Sequence, residues 1–407
     1  MSDFWSKNEK ENEKKLISIC TSNRNITNVE LQKTFPSITK KSIAEKRRYH
    51  DLACTTNIVK GVTKGTLKNK RDNSLSIDEE KLLSLLKNNS YSPGEISRVL
   101  DRSKETVFRI AGDLQKKGYV VKFSDLNKQF VLDTTRSSKI TPLNIKSLYK
   151  KYIKFGIVSD THLGSNWQQP TLLHTAYKIL DDEKVDFVVH CGDVSDGVSM
   201  RKGHEQEVFL PAKKPLVWRN YIINTYPHSK TGFKTYVIGG GTHDWDFVKT
   251  HGYNLVQEVC NKRDDIIYKG DVVAQFNIKN TSIRIMHPAG GISYALSYKT
   301  QKVAEGMINS AMELIRERGS IEELPSVVVF GHWHVSSFIP CYMGMDLISA
   351  PCFQDQTPYL QMKGLYPKIG FVIVEMFFDD NNCVTSTRVD FRHMGSRVIK
   401  NDYPTLF

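Results

Sequence analysis

The sequence contains no run of 18 or more apolar residues, so no membrane-spanning helix is expected. Its first residues carry no apolar signal core, and we therefore expect a cytoplasmic rather than a secreted protein. The 7 cysteines are scattered, odd in number and without a C-x-x-C pair. A disulfide framework and a cysteine-based zinc ribbon are therefore not expected.

Positive charge is concentrated at one end of the 407 residues. Residues 1–150 hold 30 Lys and Arg against 17 Asp and Glu, whereas residues 151–407 hold 27 of each. Histidine follows the opposite distribution, because 11 of the 12 lie after residue 150. This pattern predicts a first part that binds a polyanion and a second part that carries metal or proton chemistry.

Residues 1–54 are predicted to form three short helices in helix-turn-helix order. A capping box at Thr27 and Glu30 opens the second helix, and a basic third helix covers residues 37–50. A small helical bundle with a solvated basic face is the alternative interpretation. The candidate DNA-binding residues of the third helix are Lys40, Lys41, Arg47 and Arg48.

Residues 76–133 follow a basic linker at 55–75 and are predicted to form three helices and a hairpin. Residues 92–95 cap the second helix, with Pro93 at its favoured first position, and residues 101–106 turn into the third. This order resembles the winged-helix family, with the third helix as recognition helix, although winged helices also bind proteins. The candidate DNA-facing residues are Ser103, Lys104, Thr106, Arg109 and Lys117.

A second polar linker is predicted at 134–150, and residues 151–407 then alternate apolar strands with helical stretches. This alternation predicts a layered α/β domain. Nearly every strand ends in Asp or His, and the carboxyl edge of such a sheet is where α/β folds place their sites. The strand ends carry Asp160 and His162, Asp193 and Asp196, Thr242 and His243, His287, and His332 and His334.

Mixed oxygen and nitrogen ligands suit Mn, Fe, Zn or Ni better than Ca or an all-sulfur zinc site. The set is larger than one ion needs, so we expect two divalent metal ions, most simply manganese. The remaining histidines lie outside the motifs, and we expect them to be surface or core residues and not ligands. Among these are His190 and His204.

The series resembles the calcineurin-like metallophosphoesterase superfamily, whose motifs run D-x-H, G-D-x-x-D, G-N-H-D, H and G-H-x-H. The resemblance spans residues 153–355 and implies an α/β/β/α sandwich that hydrolyses phosphoesters with two metal ions. It implies that Asp160, His162 and His334 hold the first metal, that Asp193 bridges both, and that His287 and His332 hold the second. It also implies that His243 protonates the leaving oxygen and that Asp196 orients His243.

Thr242 departs from the family pattern, which has Asn at this position. A threonine hydroxyl is a weaker neutral ligand with a shorter reach than an asparagine carbonyl. Thr242 either ligates directly, or is replaced by water, or leaves the second metal weakly bound. We expect some loss of affinity for the second metal.

The leading hypothesis is a metal-dependent nuclease that its basic N-terminal domains deliver to DNA, with a homodimer as one possible assembly. A phosphatase or cyclic phosphodiesterase acting on nucleotides or phosphoproteins is the first alternative. A DNA-binding regulator whose phosphoesterase domain is impaired through Thr242 is the second.

Overall fold

The computed structural model describes residues 75–145, 151–319 and 324–395, together with residues 15, 16, 18, 31, 33–35 and 43. The chain divides into two compact units, Met1–Ser76 and Ile77–Phe407. In the first unit Leu16, Leu31 and Ile43 are helical and fully buried, at positions where the sequence predicts helices. The capping box at 27–30 and nearly all of the linker at 55–75 lie outside the described residues.

The second unit begins with three helices and a hairpin, which we call the helix–hairpin module (residues 77–132). Its Ser92 caps the second helix as predicted and forms a capping box with Glu95, and the Ser103 Oγ accepts a hydrogen bond from the Thr106 amide at 3.2 Å. The elements are α1 (Ile77–Leu86), α2 (Pro93–Leu100), α3 (Lys104–Lys116), β1 (Val121–Ser124) and β2 (Gln129–Leu132). They lie within a few residues of the predicted positions.

Strands and helices then alternate through the larger part of this unit. The strands are β3 (Leu143–Asn144), β4 (Tyr152–Val158), β5 (Phe187–His190), β6 (Lys234–Ile238), β7 (Ile266–Gly270), β8 (Val273–Ile278), β9 (Thr281–Met286), β10 (Val327–Phe330), β11 (Ser337–Tyr342), β12 (Met345–Ser349), β13 (Gly370–Phe378) and β14 (Val384–His393). The helices are α4 (Pro170–Asp182), α5 (Pro215–Thr225), α6 (Asp244–His251), α7 (Leu255–Cys260), α8 (Tyr298–Arg318) and α9 (Pro358–Met362).

The strands form two six-stranded mixed sheets. One sheet has the order β14-β13-β4-β5-β6-β7, in which β4 to β7 are parallel. The other has the order β11-β12-β10-β9-β8-β3, with β9, β10 and β12 parallel. Parallel strands place their carboxyl ends at a common edge, so the residues that follow β4, β5 and β6 are brought together, as are those after β9 and β10.

The main core lies between the two sheets, because alternate residues of each sheet point into the same layer. Phe155 and Ile157 of β4 pack in one cluster with Phe276 of β8 and Ile285 of β9. On the outer faces, Leu180 of α4 packs against Gly156, and Ala304 of α8 packs against Val328 and Leu347. The result is a mixed α/β sandwich with a helix on each outer face.

Part of the predicted linker at 134–150 forms a β-strand. Its residues Leu143 and Asn144 form β3, which pairs with β8 at Phe276 and Asn277. None of the helices in the described part of the chain combines the length and the apolarity needed to cross a membrane.

The helix–hairpin module packs directly on the sandwich. Tyr119 and Tyr253 form a β-bridge, their ring centroids lie 5.1 Å apart, and both side chains are buried. The Val120 amide donates to the Gly252 carbonyl at 2.7 Å. Because Gly252 ends α6, the helix that begins after His243, the module contacts the far end of an element of the candidate site.

Candidate metal centre

The strand-end side chains predicted from the sequence come together at the carboxyl edge of the sheets. Three groups have ligand atoms close enough to hold a metal ion, and the third of them, His162, Asp196 and His243, shares His162 with the first. The first group is Asp160, His162 and His334, and the second is Asp193, His287 and His332. The first two groups contain the ligands that the resemblance implies for each metal, except that Asp193, the implied bridging ligand, belongs only to the second group.

Tight turns after the strands direct these side chains toward one another. The backbone is left-handed at Asp160, His162, Asp193, His332 and His334, with φ values of 51°, 44°, 52°, 82° and 55°. Such conformations are unfavourable for residues with a Cβ and occur mainly at functional sites.

Two glycines let the loops of the centre approach each other. A Cβ on Gly241 would lie 2.3 Å from the Asp193 Oδ1, and one on Gly192 would lie 2.7 Å from the His287 Nδ1. The glycines at these two positions are therefore required for the carboxylate and the imidazole to reach the centre.

The histidines are oriented so that one ring nitrogen of each is left for a metal. The His162 Nδ1 contacts the Asp196 Oδ1 at 2.7 Å, and the His287 Nδ1 contacts the Cys191 carbonyl at 2.6 Å. The His332 Nε2 contacts the Gly290 carbonyl at 2.9 Å. Because an oxygen acceptor fixes the proton on the nitrogen it faces, the lone pair of each neutral ring lies on the opposite nitrogen.

The free nitrogens fit divalent cations better than they fit one another. The His162 Nε2 lies 3.1 Å from the His334 Nε2, so two lone pairs face each other when both rings are neutral and protonated on Nδ1. The His287 Nε2 is buried without a hydrogen-bond partner, although the Asp193 Oδ2 lies 3.0 Å away. An ion in each group would satisfy these acceptors, and mixed carboxylate and imidazole donors suit first-row divalent metals.

Charge within the centre is balanced by proton placement. Burial opposes protonation of His287, but the carboxylates of Asp193 and Asp160 outweigh it and raise the pKa of His287 to about 9. Burial likewise opposes ionisation of Asp193, and the charge of His287 holds the pKa of Asp193 well below its usual range. Ionised Asp193 and protonated His287 thus form a buried ion pair, and a divalent cation would have to displace the proton of His287 in order to bind its ring.

His243 stands beside both groups and borders solvent. Its Nδ1 contacts the Asp196 backbone carbonyl at 2.5 Å, while the Asp196 Oδ1 is farther away, at 3.5 Å. The resemblance implies that the Asp196 carboxylate orients His243. In the structure the closer contact of the His243 ring is with the Asp196 backbone carbonyl. Burial lowers the pKa of His243, against the opposing charge of Asp193.

The Asp196 carboxylate belongs to a buried network that the sequence interpretation missed. Besides His162, it contacts the His204 Nε2 at 3.3 Å and accepts a hydrogen bond from the Gln354 Nε2 at 2.9 Å. His204 is a core residue as expected, with 1% exposure, yet it touches a residue of the centre. Residue spacing could not reveal these contacts, because His204 begins a single 3-10 turn and Gln354 lies in a loop, and neither belongs to a motif.

Two further carboxylates in the first turn of α6 hold the loop after β5. Asp244 accepts hydrogen bonds from the amides of Val194 and Ser195 at 2.9 and 2.8 Å, and Asp246 accepts one from Ser199 at 2.8 Å. Burial and the charge of Asp193 raise the pKa of Asp244 to about 7. Their sequence signal was the Asp-Trp-Asp run directly after His243.

Thr242 lies partly buried and lines the same cavity as the two ligand groups. This cavity has a volume of about 400 Å³ and opens to solvent at the carboxyl edge. His162, Asp193, Asp196, His243, His332 and His334 also line it.

The candidate DNA-binding residues fall into three sets. Lys40, Lys41, Arg47 and Arg48 lie outside the described residues. Ser103 and Thr106 form the α3 cap, and the Lys117 Nζ binds Glu79 at 2.8 Å. Lys104 is exposed, and so is Arg109, which has an ion pair with Asp113 at 3.3 Å.

Residues 153–336 match the family model described as calcineurin-like phosphoesterase. This part of the chain is therefore a calcineurin-like metallophosphoesterase domain, of a family whose members are metal-dependent phosphoester hydrolases with two metal ions. No curated protein sequence matches the chain.

Three solved structures are similar to it at low sequence identity. A wild-type Vps29 complexed with zinc from Entamoeba histolytica is 12% identical over 59% of this chain and 99% of its own, with a TM-score of 0.28. A dimetal phosphatase from Danio rerio is 12% identical over 59% and 96%, with a TM-score of 0.32. A 5′-nucleotidase precursor from Thermus thermophilus is 11% identical over 60% and 54%, with a TM-score of 0.28.

Proposed function

We propose that the chain is a two-metal phosphodiesterase that cleaves DNA. The observation that carries the proposal is the pair of adjacent ligand groups at the carboxyl edge, with His243 beside them in one open cavity. Two divalent ions bound there, for which we favour manganese, would neutralise phosphate charge and activate the attacking water.

The residues of the chain divide the remaining work. With the His243 Nδ1 on the Asp196 carbonyl, the Nε2 is left to face substrate and to protonate the leaving oxygen. A bound phosphodiester adds negative charge beside this ring, and that charge favours its protonated form. Asp196, His204 and Gln354 position His162 and the loop after β5.

Two observations favour DNA over a small phosphoester. All of the net charge of +13 falls in residues 1–150, which suits a polyanion longer than one nucleotide. The helix–hairpin module, which resembles a winged helix, presents Lys104 and Arg109 on α3 while it packs against Gly252 and Tyr253 at the end of α6. DNA on α3 would then be held by the same rigid unit as the metal centre.

A cleavage assay with Mn²⁺ on end-labelled DNA and RNA tests the proposal. We expect DNA cleavage by the full chain and its loss in the Asp193→Ala and His243→Ala variants. Turnover of an aryl phosphodiester without any cleavage of DNA would favour a small-molecule phosphoesterase instead. Fewer than about one metal ion per chain with intact DNA binding would favour a regulator.

A further inference from the structure

The cavity beside the metal centre has one wall that lies outside the family-matched residues 153–336. We call this segment, residues 352–369, the wall loop. It leaves the end of β12 and returns at the start of β13, and its two ends are paired. The Cys352 amide donates to the Lys368 carbonyl at 2.8 Å, and the Gly370 amide donates to the Cys352 carbonyl at 3.0 Å.

The wall loop is fixed to the metal centre at both ends. The Phe353 amide donates to the Asp160 carbonyl at 3.0 Å, and the Lys368 amide donates to the His334 carbonyl at 2.8 Å. Both acceptors belong to the first ligand group. A group bound on the loop is therefore held at a constant position relative to a phosphate at the metals.

The loop presents tyrosine rings to the cavity. Tyr359 and Tyr366 both line it, with exposures of 37% and 65%. Their neighbours in the cavity wall are the apolar side chains of Leu360 and Leu365. An exposed ring in a fixed loop gives a flat apolar surface for a ligand with an aromatic face.

Positive charge accompanies each ring. The Arg201 guanidinium lies 4.2 Å from the centre of the Tyr359 ring, and an ion pair with Glu207 holds it there. The Lys363 Nζ lies 5.9 Å from the same ring, and the Lys368 Nζ lies 5.6 Å from the centre of the Tyr366 ring. Of these cations Arg201 lines the cavity, together with its partner Glu207, and the two lysines lie beside the rings without lining it. Aromatic surfaces next to cations match a ligand that carries both flat rings and negative charges.

An unpaired nucleic acid strand has this chemistry, because its base faces are open and its phosphates follow one another at regular intervals. In a duplex the base faces are covered by stacked neighbours, so they cannot contact Tyr359 or Tyr366. A phosphorylated sugar has no aromatic ring to stack. The two tyrosines and their cations should therefore favour an unpaired strand over a duplex or a phosphorylated sugar.

We propose that the wall loop is a subsite for an unpaired nucleotide next to the scissile phosphate, so that single-stranded nucleic acid is the preferred substrate. The inference rests on the proposed function and narrows its substrate class. Tyr366, the more exposed ring, and the Arg201–Tyr359 pair provide the stacking surfaces.

The test uses the full chain with Mn²⁺ and three end-labelled substrates: a single strand, the same strand with abasic sites, and its duplex. We expect the KM of the wild-type protein to be about tenfold lower for the natural strand than for the abasic one. Tyr366→Leu and Tyr359→Leu should remove this preference with kcat changed less than about twofold, and Tyr366→Phe should restore it.

Tyr152→Leu is the matched control, since Tyr152 is 43% exposed at the start of β4, at the opposite end of that strand from Asp160. It should leave both KM values unchanged. A preference that persists in both leucine variants would overturn the inference, and so would a KM that rises equally for natural and abasic strands. A thymidine p-nitrophenyl phosphodiester bound as tightly as the strand would assign the subsite to free nucleotides and likewise overturn it.

Failure of the proposed function has a different signature. The wild-type protein would then hydrolyse an aryl phosphodiester but neither the natural nor the abasic strand. If only the inference fails, the wild-type protein still cleaves strands, but without a base preference.

Discussion

Backbone carbonyls orient the imidazole rings of the metal centre. The backbone carbonyls of Cys191 and Gly290 orient His287 and His332, and the carbonyl of Asp196 orients His243. The family resemblance implied which residues form the ligand groups, because their motifs follow the strands in the family's order. It could not give these hydrogen bonds, since any residue type supplies a carbonyl.

Asp193 contributes a carboxylate that no neighbour can replace. Its Oδ1 accepts a hydrogen bond from the His243 amide at 2.9 Å, and its Oδ2 lies 3.0 Å from the His287 Nε2. In Asp193→Asn we expect metal content to fall and the kcat for an aryl phosphodiester to drop by about 10³, which corresponds to about 4 kcal/mol. Metal analysis of the purified protein and initial rates measure both effects.

Asp182→Asn is the control for this substitution, because Asp182 is exposed on α4. It makes the same change of charge away from the centre. Full metal content and activity in Asp193→Asn would remove Asp193 from the ligand set.

Thr242 lines the cavity where the resembling family has asparagine. Thr242→Asn should retain or raise activity when metal is limiting, because an amide carbonyl is a better neutral ligand than a hydroxyl. Initial rates over a range of Mn²⁺ concentrations measure the effect, and Thr242→Val tests the hydroxyl alone. Lower activity of Thr242→Asn at every concentration would show that the threonine has a role of its own.

At the scale of elements, helix ends hold the loops that carry the site. The first turn of α6 binds the loop after β5 through Asp244 and Asp246, and the last turn of α4 binds the loop before β6. In that last turn, Asp181 accepts hydrogen bonds from the amides of Lys230 and Thr231 at 2.9 and 3.0 Å and from the Ser229 hydroxyl at 2.6 Å.

Asp181 should stabilise the fold in a pH-dependent way. Burial opposes its ionisation, but the hydrogen bonds from Lys230 and Ser229 prevail and lower its pKa. Because the folded-state pKa is lowered, the stabilisation is complete above the unfolded-state pKa of about 3.9 and is lost as the pH falls through the folded-state pKa. Asp181→Asn should reduce the free energy of unfolding by about 2 kcal/mol at pH 7 and by less at pH 3.5.

Urea denaturation at the two pH values provides the measurement. Asp182→Asn is again the matched control, since it changes the charge of the neighbouring exposed residue, and it should have little effect at either pH. An equal loss of stability in the two variants, or a loss independent of pH, would contradict the assigned role.

Sequence periodicity located most strands and helices of the sandwich but not all of them. β4, β5, β6 and β10 were predicted because they are continuous apolar runs that end in chemistry-bearing residues. β3 was missed because two residues of a polar stretch pair with β8 only in the folded sheet. The wall loop was missed for a related reason, since its ends are positioned by Asp160 and His334, far away in sequence.

At the scale of the whole molecule, the net charge of +13 lies in residues 1–150, whereas residues 151–407 have no net charge. The sequence suggested that binding and cutting are divided between separate modules. In the structure Tyr119 of the module and Tyr253 of the sandwich are 5% and 0% exposed. A cut at residue 150 would uncover both, so the division of labour is best tested in the full chain.

Reversing two charges on α3 in the full chain tests whether the helix–hairpin module binds the DNA. The double variant Lys104→Glu with Arg109→Glu should bind duplex DNA at least about tenfold more weakly at about 0.15 M salt. The slope of log Kobs against log salt should become shallower by about 2, because two phosphate contacts are lost. Turnover of an aryl phosphodiester should stay unchanged, since neither residue lines the cavity.

Lys178→Glu with Lys302→Glu is the matched control, because both lysines are exposed on α4 and α8 and the change of charge is the same. It should shift affinity and slope much less. Equal effects of the two double variants would indicate that overall charge, rather than α3, holds the DNA.

The left-handed backbone conformations of the ligand residues are part of the energetic cost of folding. Each such conformation costs of order 1–3 kcal/mol, and five ligand residues adopt one. Backbone hydrogen bonds hold the turn at Asp160, from the Asp160 amide to the Gly192 carbonyl and from the Phe353 amide to the Asp160 carbonyl. The free energy of folding therefore has to offset the backbone strain of the centre, and the polypeptide itself fixes the positions of the ligand residues.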